Sequence, residues 1–223
     1  MPRGRGGNGW LPLPHMKPWM AVNRERIKRD IIVIGASAGG VQTLTQLFGG
    51  FPFRMPAAVG VVLHRGAAPG ELARVLRRRS RLPVIEPEGR MPLRHGIIYL
   101  APADHHLLFE RDAVVAHRGP KEHGTRPAID PLFRSAAEAH GRRVVGALLT
   151  GCGDDGVSGL ISIAGGSGLT IAQDPEEAYM PYMPLNALRY DDLSALFSID
   201  NMATNLAALA AGETIRSTSR AAG

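Results

Sequence analysis

Five short apolar runs punctuate the chain, at residues 31–34 (Ile-Ile-Val-Ile), 58–63, 97–100, 144–149 (Val-Val-Gly-Ala-Leu-Leu) and 168–172. They are apolar at successive positions rather than alternating, the pattern of parallel strands covered on both faces. A further pair at 106–109 and 112–116, joined through Glu110-Arg111, predicts a hairpin. Helical stretches fall between these runs. One follows Gly39-Gly40 through about Phe48; a second covers roughly 70–79, with Leu72, Val75 and Leu76 on one face and arginines opposite. Others are predicted from Asp130-Pro131, over about 156–164, from Asp174-Pro175-Glu176, and from Asp200 to Gly212. Each Asp-Pro pair offers an N-cap followed by proline at the first helical position, and a closing glycine suits a helix C-terminus. Strand–helix alternation of this kind predicts an α/β fold: a single domain with a doubly wound, mostly parallel sheet and helices on both faces.

The net charge of +6 invites a nucleic-acid reading until it is located. Residues 1–29 carry seven Arg or Lys against the single acid Glu25, which accounts for the whole excess. The remaining 19 basic and 19 acidic residues cancel, so the body has no basic footprint for DNA or RNA. Residues 1–29 are read as a flexible, basic, Gly/Pro-rich arm, 30–212 as the folded domain, and 213–223 as a C-terminal tail. Cys152 is the one cysteine, so no internal disulfide can form. No run approaches the length of a membrane span, and the Pro-broken N-terminus lacks a secretory core. The expectation is a cytoplasmic protein without membrane insertion.

Reactive groups in such sheets gather at the carboxyl ends of strands. Three places put unusual residues there. Gly35-x-Ser37-x-Gly39 follows the strongest strand with the spacing of a nucleophile elbow, where a sharp turn exposes the hydroxyl at a helix N-terminus. A phosphate-binding turn or a plain helix cap would also fit, although a dinucleotide fingerprint would need glycine where Ser37 stands. Of eight histidines, His64 alone ends an apolar strand, a rigid mount for a general base. Finally, Thr150-Gly-Cys-Gly-Asp-Asp-Gly156 places two acids in a glycine-rich turn. They could bind a cation, orient an imidazole or cap the next helix, and the free amides there suit an oxyanion hole. Together the three places supply nucleophile, base and orienting acid on one sheet edge.

These residues make the chain similar to the catalytic domain of the bacterial chemotaxis protein-glutamate methylesterases, the CheB family. The resemblance covers roughly residues 30–211. It rests on Gly-Ala-Ser-Ala-Gly-Gly (35–40), His64, Ile98-Tyr-Leu-Ala-Pro-Ala-Asp-His-His-Leu107, Arg126-Pro-Ala-Ile-Asp-Pro-Leu-Phe-Arg-Ser-Ala-Ala137, Leu149-Thr-Gly-Cys-Gly-Asp-Asp-Gly156, Ala172-Gln-Asp174 and Met183-Pro184. It implies Ser37 as nucleophile, His64 as base and Asp155, rather than Asp154, as the orienting acid. Cys152, Gly153 and Met183 fall at the oxyanion hole and cleft. The implied reaction is hydrolysis of glutamate methyl esters on a methyl-accepting chemotaxis receptor or similar signalling protein, with deamidation of certain glutamines, through an acyl-enzyme. It calls for no metal or organic cofactor.

The chain departs from the family pattern in places. Only about 29 residues, almost devoid of acids, precede the match, so an attached receiver domain is not expected. Constitutive activity or a separate regulator in trans is expected instead. Arg65-Gly66 stands where Met-Pro or Leu-Pro is common, Cys152 replaces a common methionine, and Ala178-Tyr-Met-Pro-Tyr-Met-Pro184 replaces Phe-Gly-Met-Pro. These changes bear on substrate more than on chemistry. Cys152 has no base beside it to make it a nucleophile. Arg74, Arg77, Arg78, Arg79 and Arg81 read as a solvated helix face rather than a docking patch. Asp104-His105-His106 reads poorly as a metal site, because neighbouring strand residues point to opposite faces. Arg126 and Asp130 are expected to be structural or cleft-lining. Two other functions compete: an esterase or amidase of this fold acting elsewhere, and a non-catalytic module that binds signalling partners.

Overall fold

A computed structural model describes residues 27–68, 70–191 and 193–215. Most of the expected arm and tail therefore lies outside the described residues. The strands are β1 (Ile31–Ala36), β2 (Ala58–Leu63), β3 (Val84–Ile85), β4 (Arg90–Pro92), β5 (Ile97–Leu100), β6 (His106–Phe109), β7 (Ala113–His117), β8 (Val144–Leu148), β9 (Leu169–Gln173) and β10 (Ala195–Phe197). The helices are α1 (Gly40–Gly50), α2 (Leu72–Arg77), α3 (Ile129–His140), α4 (Val157–Gly165), α5 (Tyr182–Tyr190) and α6 (Ile199–Ala210).

Seven strands form one sheet in the order β10-β9-β8-β1-β2-β5-β3, and every pairing in it is parallel. β1 is central, and all six of its residues are buried. Its side chains alternate between two cores. Ile32 and Ile34 join Leu44, Leu47 and Leu206 of α1 and α6 on one face. Ile31 and Val33 join Leu132, Phe133 and Leu160 of α3 and α4 on the other. Burial on both faces explains the uniformly apolar strand sequences; each such side chain contributes roughly 1.5–3 kcal/mol. From β1 the strand order runs one way through β2 and β5 and the other way through β8, β9 and β10. The carboxyl end of β1 is thus the topological switch point, where a crevice opens between oppositely directed connections.

The expected hairpin is β6–β7, and β4 adds to it as a third antiparallel strand. This small sheet packs beside α3, with Phe109 edge-on to Tyr99 at 6.2 Å between ring centroids. The short strands β3, β4 and β10 escaped the periodicity reading because runs of two or three residues carry too little pattern.

Two helix starts differ from expectation. No helix begins at Asp174-Pro175-Glu176. The Asp174 side chain accepts the Glu176 N–H, closing a single turn. Met180 then bonds through its own N–H and C=O to Thr150 and Gly151, and Pro181 has no N–H to continue the turn. The helix starts only at Tyr182. For α3, Asp130 is not the cap. It sits within the first turn, and the carboxylate of Asp155 supplies the cap from across the structure. α2 spans six residues; its Arg74 pairs with Glu71 and its Arg77 donates to the Val84 carbonyl, while Arg81, beyond the helix, lies 5.1 Å over the Phe53 ring.

Candidate active site

β1 runs straight into the turn that carries Ser37. Gly39 caps α1 at φ 80, a left-handed conformation that glycine adopts without strain. The Ser37 N–H donates to the Thr150 carbonyl at 2.9 Å, and the Thr150 hydroxyl donates to the Ala38 carbonyl at 2.9 Å. The turn after β1 is thereby tied to the turn after β8. Thr150 is in its turn fixed by the Gln173 side chain, which accepts its N–H at 2.9 Å. Gly151 completes the contact. A Cβ there would meet Met183 Sδ at 2.0 Å and Ser37 Cβ at 2.7 Å, so no side chain fits between them.

His64 is the first residue past β2, and its N–H donates to the Ala36 carbonyl at 3.0 Å. The parallel register that sets Ala36 beside Leu63 delivers the imidazole next to the serine. Ser37 Oγ lies 3.1 Å from Nδ1 of His64, and Nε2 of the same ring lies 2.6 Å from Asp155 Oδ2. A hydroxyl that donates to Nδ1 requires the neutral ring to carry its proton on Nε2, which then donates to the carboxylate. The ring is used in the reverse sense of the commoner serine-protease pairing. Asp155 is only 2% exposed. Its Oδ2 also accepts the Ile129 N–H at 2.7 Å, and its Oδ1 accepts the Asp130 N–H at 3.0 Å. Burial alone would push this carboxyl up. The hydrogen bonds from His64, Ile129 and Asp130 outweigh burial and hold it below the usual carboxylate range.

The other predicted residues fall around this series. Met183 is fully buried against Gly151, while Cys152 is exposed and Gly153 occupies a left-handed turn at φ 90. Asp154, with its side chain 70% exposed, makes no contact with His64 and lies 3.4 Å from His123. Arg65, one residue past the imidazole, pairs with Glu86 and lines a cavity of about 540 Å³ with Glu88, Pro102, Ala103 and His105. His106 is buried between the Pro120 carbonyl and the Ala128 N–H, Asp104 is bound by Arg126 and Arg118, and His105 turns to the Ala103 carbonyl. Those three groups are thus held apart in separate bonds.

The sequence reading missed His123. It sits in the loop between β7 and α3, with Nε2 2.9 Å from Asp130 Oδ2 and 3.8 Å from Asp155 Oδ1. Burial opposes its charge, but the bond to Asp130 and the charges of Asp155, Asp130 and Asp154 prevail and raise its pKa. Asp130, 1% exposed, accepts the N–H groups of Gly156 at 3.1 Å and Gly159 at 2.7 Å. Burial pushes its carboxyl up, against the Gly159 and His123 hydrogen bonds that favour the charge. His123, Asp130 and Asp155 bring three potential ligand atoms within 4.8 Å of one another. The oxygens of Asp155 and Oδ1 of Asp130 already accept N–H donors, so the cluster is a hydrogen-bonded ion-pair network of the protein's own groups. In the sequence His123-Gly124 signals only a local turn, closed between Glu122 and Thr125, and such a turn carries no sign of the acids it faces.

A serine, an imidazole and a buried carboxylate in series at the switch point of a parallel sheet define the arrangement of a serine hydrolase. Comparison with known proteins makes the class specific. The CheB methylesterase family model matches residues 32–206, and the chain belongs to that family. A relative from Leptospira interrogans is 32% identical over 176 residues, 78% of this chain and 91% of that protein. The protein-glutamate methylesterase/protein-glutamine glutaminase 2 of Methanosarcina mazei is 33% identical over 207 residues, 88% of this chain and 56% of its own. That of Anaeromyxobacter dehalogenans is 37% identical over 175 residues, 78% of this chain and 51% of its own. The chain therefore spans most of the first relative and about half the length of the other two. Among solved structures, the CheB methylesterase catalytic domain of Thermotoga maritima superposes with a TM-score of 0.75 at 30% identity, covering 81% of this chain and 98% of that one.

Proposed function

We propose that this chain is a protein-glutamate methylesterase that hydrolyses glutamate methyl esters on a methyl-accepting chemotaxis receptor or similar signalling protein. The observation that carries the proposal is the hydrogen-bonded series Ser37–His64–Asp155 at the mouth of a CheB-type sheet. Ser37 Oγ attacks the ester carbonyl while Nδ1 of His64 takes its proton. Asp155 holds the ring and stabilises the imidazolium that forms. The tetrahedral oxyanion is met by backbone amides of the Cys152-Gly153 turn, because those of Ser37 and Gly151 are already bonded to Thr150 and Met180. The proton on Nδ1 passes to the departing methoxide, methanol leaves, and the glutamyl group remains on Ser37. Water, deprotonated by the same nitrogen, then releases the free glutamate. The same sequence with ammonia as leaving group converts glutamine to glutamate, the glutaminase activity named for the relatives. Each step uses the protein's own side chains and backbone amides together with water.

Among the described residues no helix is long and apolar enough to cross a membrane. A cytoplasmic location and a separate regulator remain part of this proposal. The deciding test is methanol release from a methylated receptor cytoplasmic fragment, wild type against Ser37→Ala. Release that disappears in the variant supports both the reaction and the nucleophile. No release by the wild type counts against receptor demethylation on that substrate.

One feature favours a second reading in which the same chemistry serves another acyl group. The Arg65–Glu86 pair lines a cavity beginning one residue from the base, and Arg65 is where this chain leaves the family pattern. Ser37-dependent turnover of small esters, with none on methylated receptors, would select it.

A further inference from the structure

We infer that His123 is a positioning residue that balances charge behind the base: hydrogen-bonded to buried Asp130, it cancels the second carboxylate, so that His64 faces the net charge of one acid rather than two. The inference rests on the triad reading proposed above and deepens it.

Two carboxylates stand back to back here. Asp155 serves the imidazole, and Asp130 touches the Asp155 backbone environment by accepting the N–H of Gly156 and Gly159. An unbalanced charge on Asp130 would add to that of Asp155. Like charges this close raise each other's proton affinity, and the summed field would bind a proton more tightly on His64. A general base held protonated cannot accept the serine proton. His123 answers this directly. With its Nε2 2.9 Å from Asp130 Oδ2, the pair shares one proton and is neutral whichever group holds it.

Every charged group facing His123 fits this account. From α3 come Asp130 and Arg134. The Arg134 guanidinium lies 3.9 Å from Asp130 Oδ2 but is bound by both Glu122 oxygens, at 2.8 and 2.7 Å, so Glu122 neutralises it. From the turn before α4 come Asp155 at 3.8 Å and exposed Asp154 at 3.4 Å. Among the described residues, His123 is therefore the cation within hydrogen-bond reach of Asp130. Its backbone is held at φ 51, a left-handed conformation few non-glycine residues adopt, so the loop aims this ring at the acids at a conformational cost.

The test follows the rate at which a fluorophosphonate labels Ser37 across about pH 5 to 9, a readout that needs no receptor. Three variants are compared with the wild type: His123→Gln, Asp130→Asn and the double variant. In His123→Gln the uncompensated Asp130 charge moves the acidic limb to higher pH, by about half a unit or more. In Asp130→Asn the unpartnered imidazolium moves it lower, which keeps the inference testable should His123→Gln not fold. The double variant replaces one neutral pair by another, so its limb returns to the wild-type position although its stability need not. An unmoved limb in both single variants, with loss of stability alone, overturns the inference and leaves the triad standing. Absence of Ser37-dependent labelling, with Ser37→Ala as the control, overturns the triad reading and this inference with it.

Discussion

Asp130 and Asp155 cap each other's helices. Asp155, two residues before α4, accepts the first N–H groups of α3; Asp130, in the first turn of α3, accepts N–H groups at the start of α4. Each acid thereby satisfies donors that the other's helix leaves open and meets the positive end of that helix's dipole. The exchange locks the carboxylate facing His64 to the two helices that cover that side of the sheet. Stability and the geometry of the site are linked through it.

Asp130→Ala should therefore do more than remove a surface charge. Two buried N–H groups lose their acceptor and His123 loses its partner, at a cost of about 2 kcal/mol or more. Denaturant unfolding should show the loss, and kcat should fall with it although Asp130 touches no substrate.

Asp155→Asn should lower kcat by about three to four orders of magnitude while the protein stays folded. The amide can still accept one N–H, but it cannot stabilise an imidazolium at 2.6 Å as a carboxylate does. Steady-state kinetics on a small activated ester measures this; a variant within tenfold of wild type would remove Asp155 from its role. The exposed neighbour makes the control, with Asp154→Asn expected to change kcat little.

Gly151→Ala should destabilise by about 1–3 kcal/mol, because the new methyl has no space beside Met183 Sδ and Ser37 Cβ. Combining it with Met183→Ala should recover part of the thermal stability, since the flexible thioether is the nearer obstacle. Activity should recover less, as the contact with Ser37 Cβ remains. A double variant no more stable than the single one would contradict this packing account.

Stability should depend on pH at both ends of the range, with opposite signs. His123 has its pKa raised by folding, so its contribution is full below its ordinary value of 6.5 and is lost as pH rises through the higher folded value. Asp155 has its pKa lowered, so its contribution is present above the ordinary 3.8 and is lost as pH falls through the depressed folded value. Melting temperatures of wild type and His123→Gln should accordingly converge as pH rises above neutrality. A gap that stays constant from mildly acidic to alkaline pH would show that the ring contributes only packing.

How far the site was legible from sequence varies residue by residue. Ser37 and His64 each end a strand whose apolar run is unmistakable, and a strand end in a parallel sheet has one place to go. Asp155 was separated from Asp154 by resemblance to a family; the structure distinguishes them physically, one 2% exposed within four hydrogen-bond and ion-pair partners and the other with a side chain 70% exposed. The Asp174-Pro175 start misled because cap chemistry is local, and the bonds that hold Met180 to the Thr150 turn come from 30 residues away.

The pattern of the chain by itself determined the five contiguous strands at the middle of the sheet, their parallel sense and the three turns that hold Ser37, His64 and Asp155, because hydrophobic periodicity and glycine placement act over a few residues. Only the tertiary structure decided which edge of the His64 ring meets the serine, which acid caps which helix, and that His123 stands behind the triad. The triad and capping bonds join residues 25 to 91 positions apart, and even His123, seven positions from Asp130, meets Asp155 only because α3 and α4 pack together against the end of β1. No short-range pattern records a partner at that distance; packing selects it.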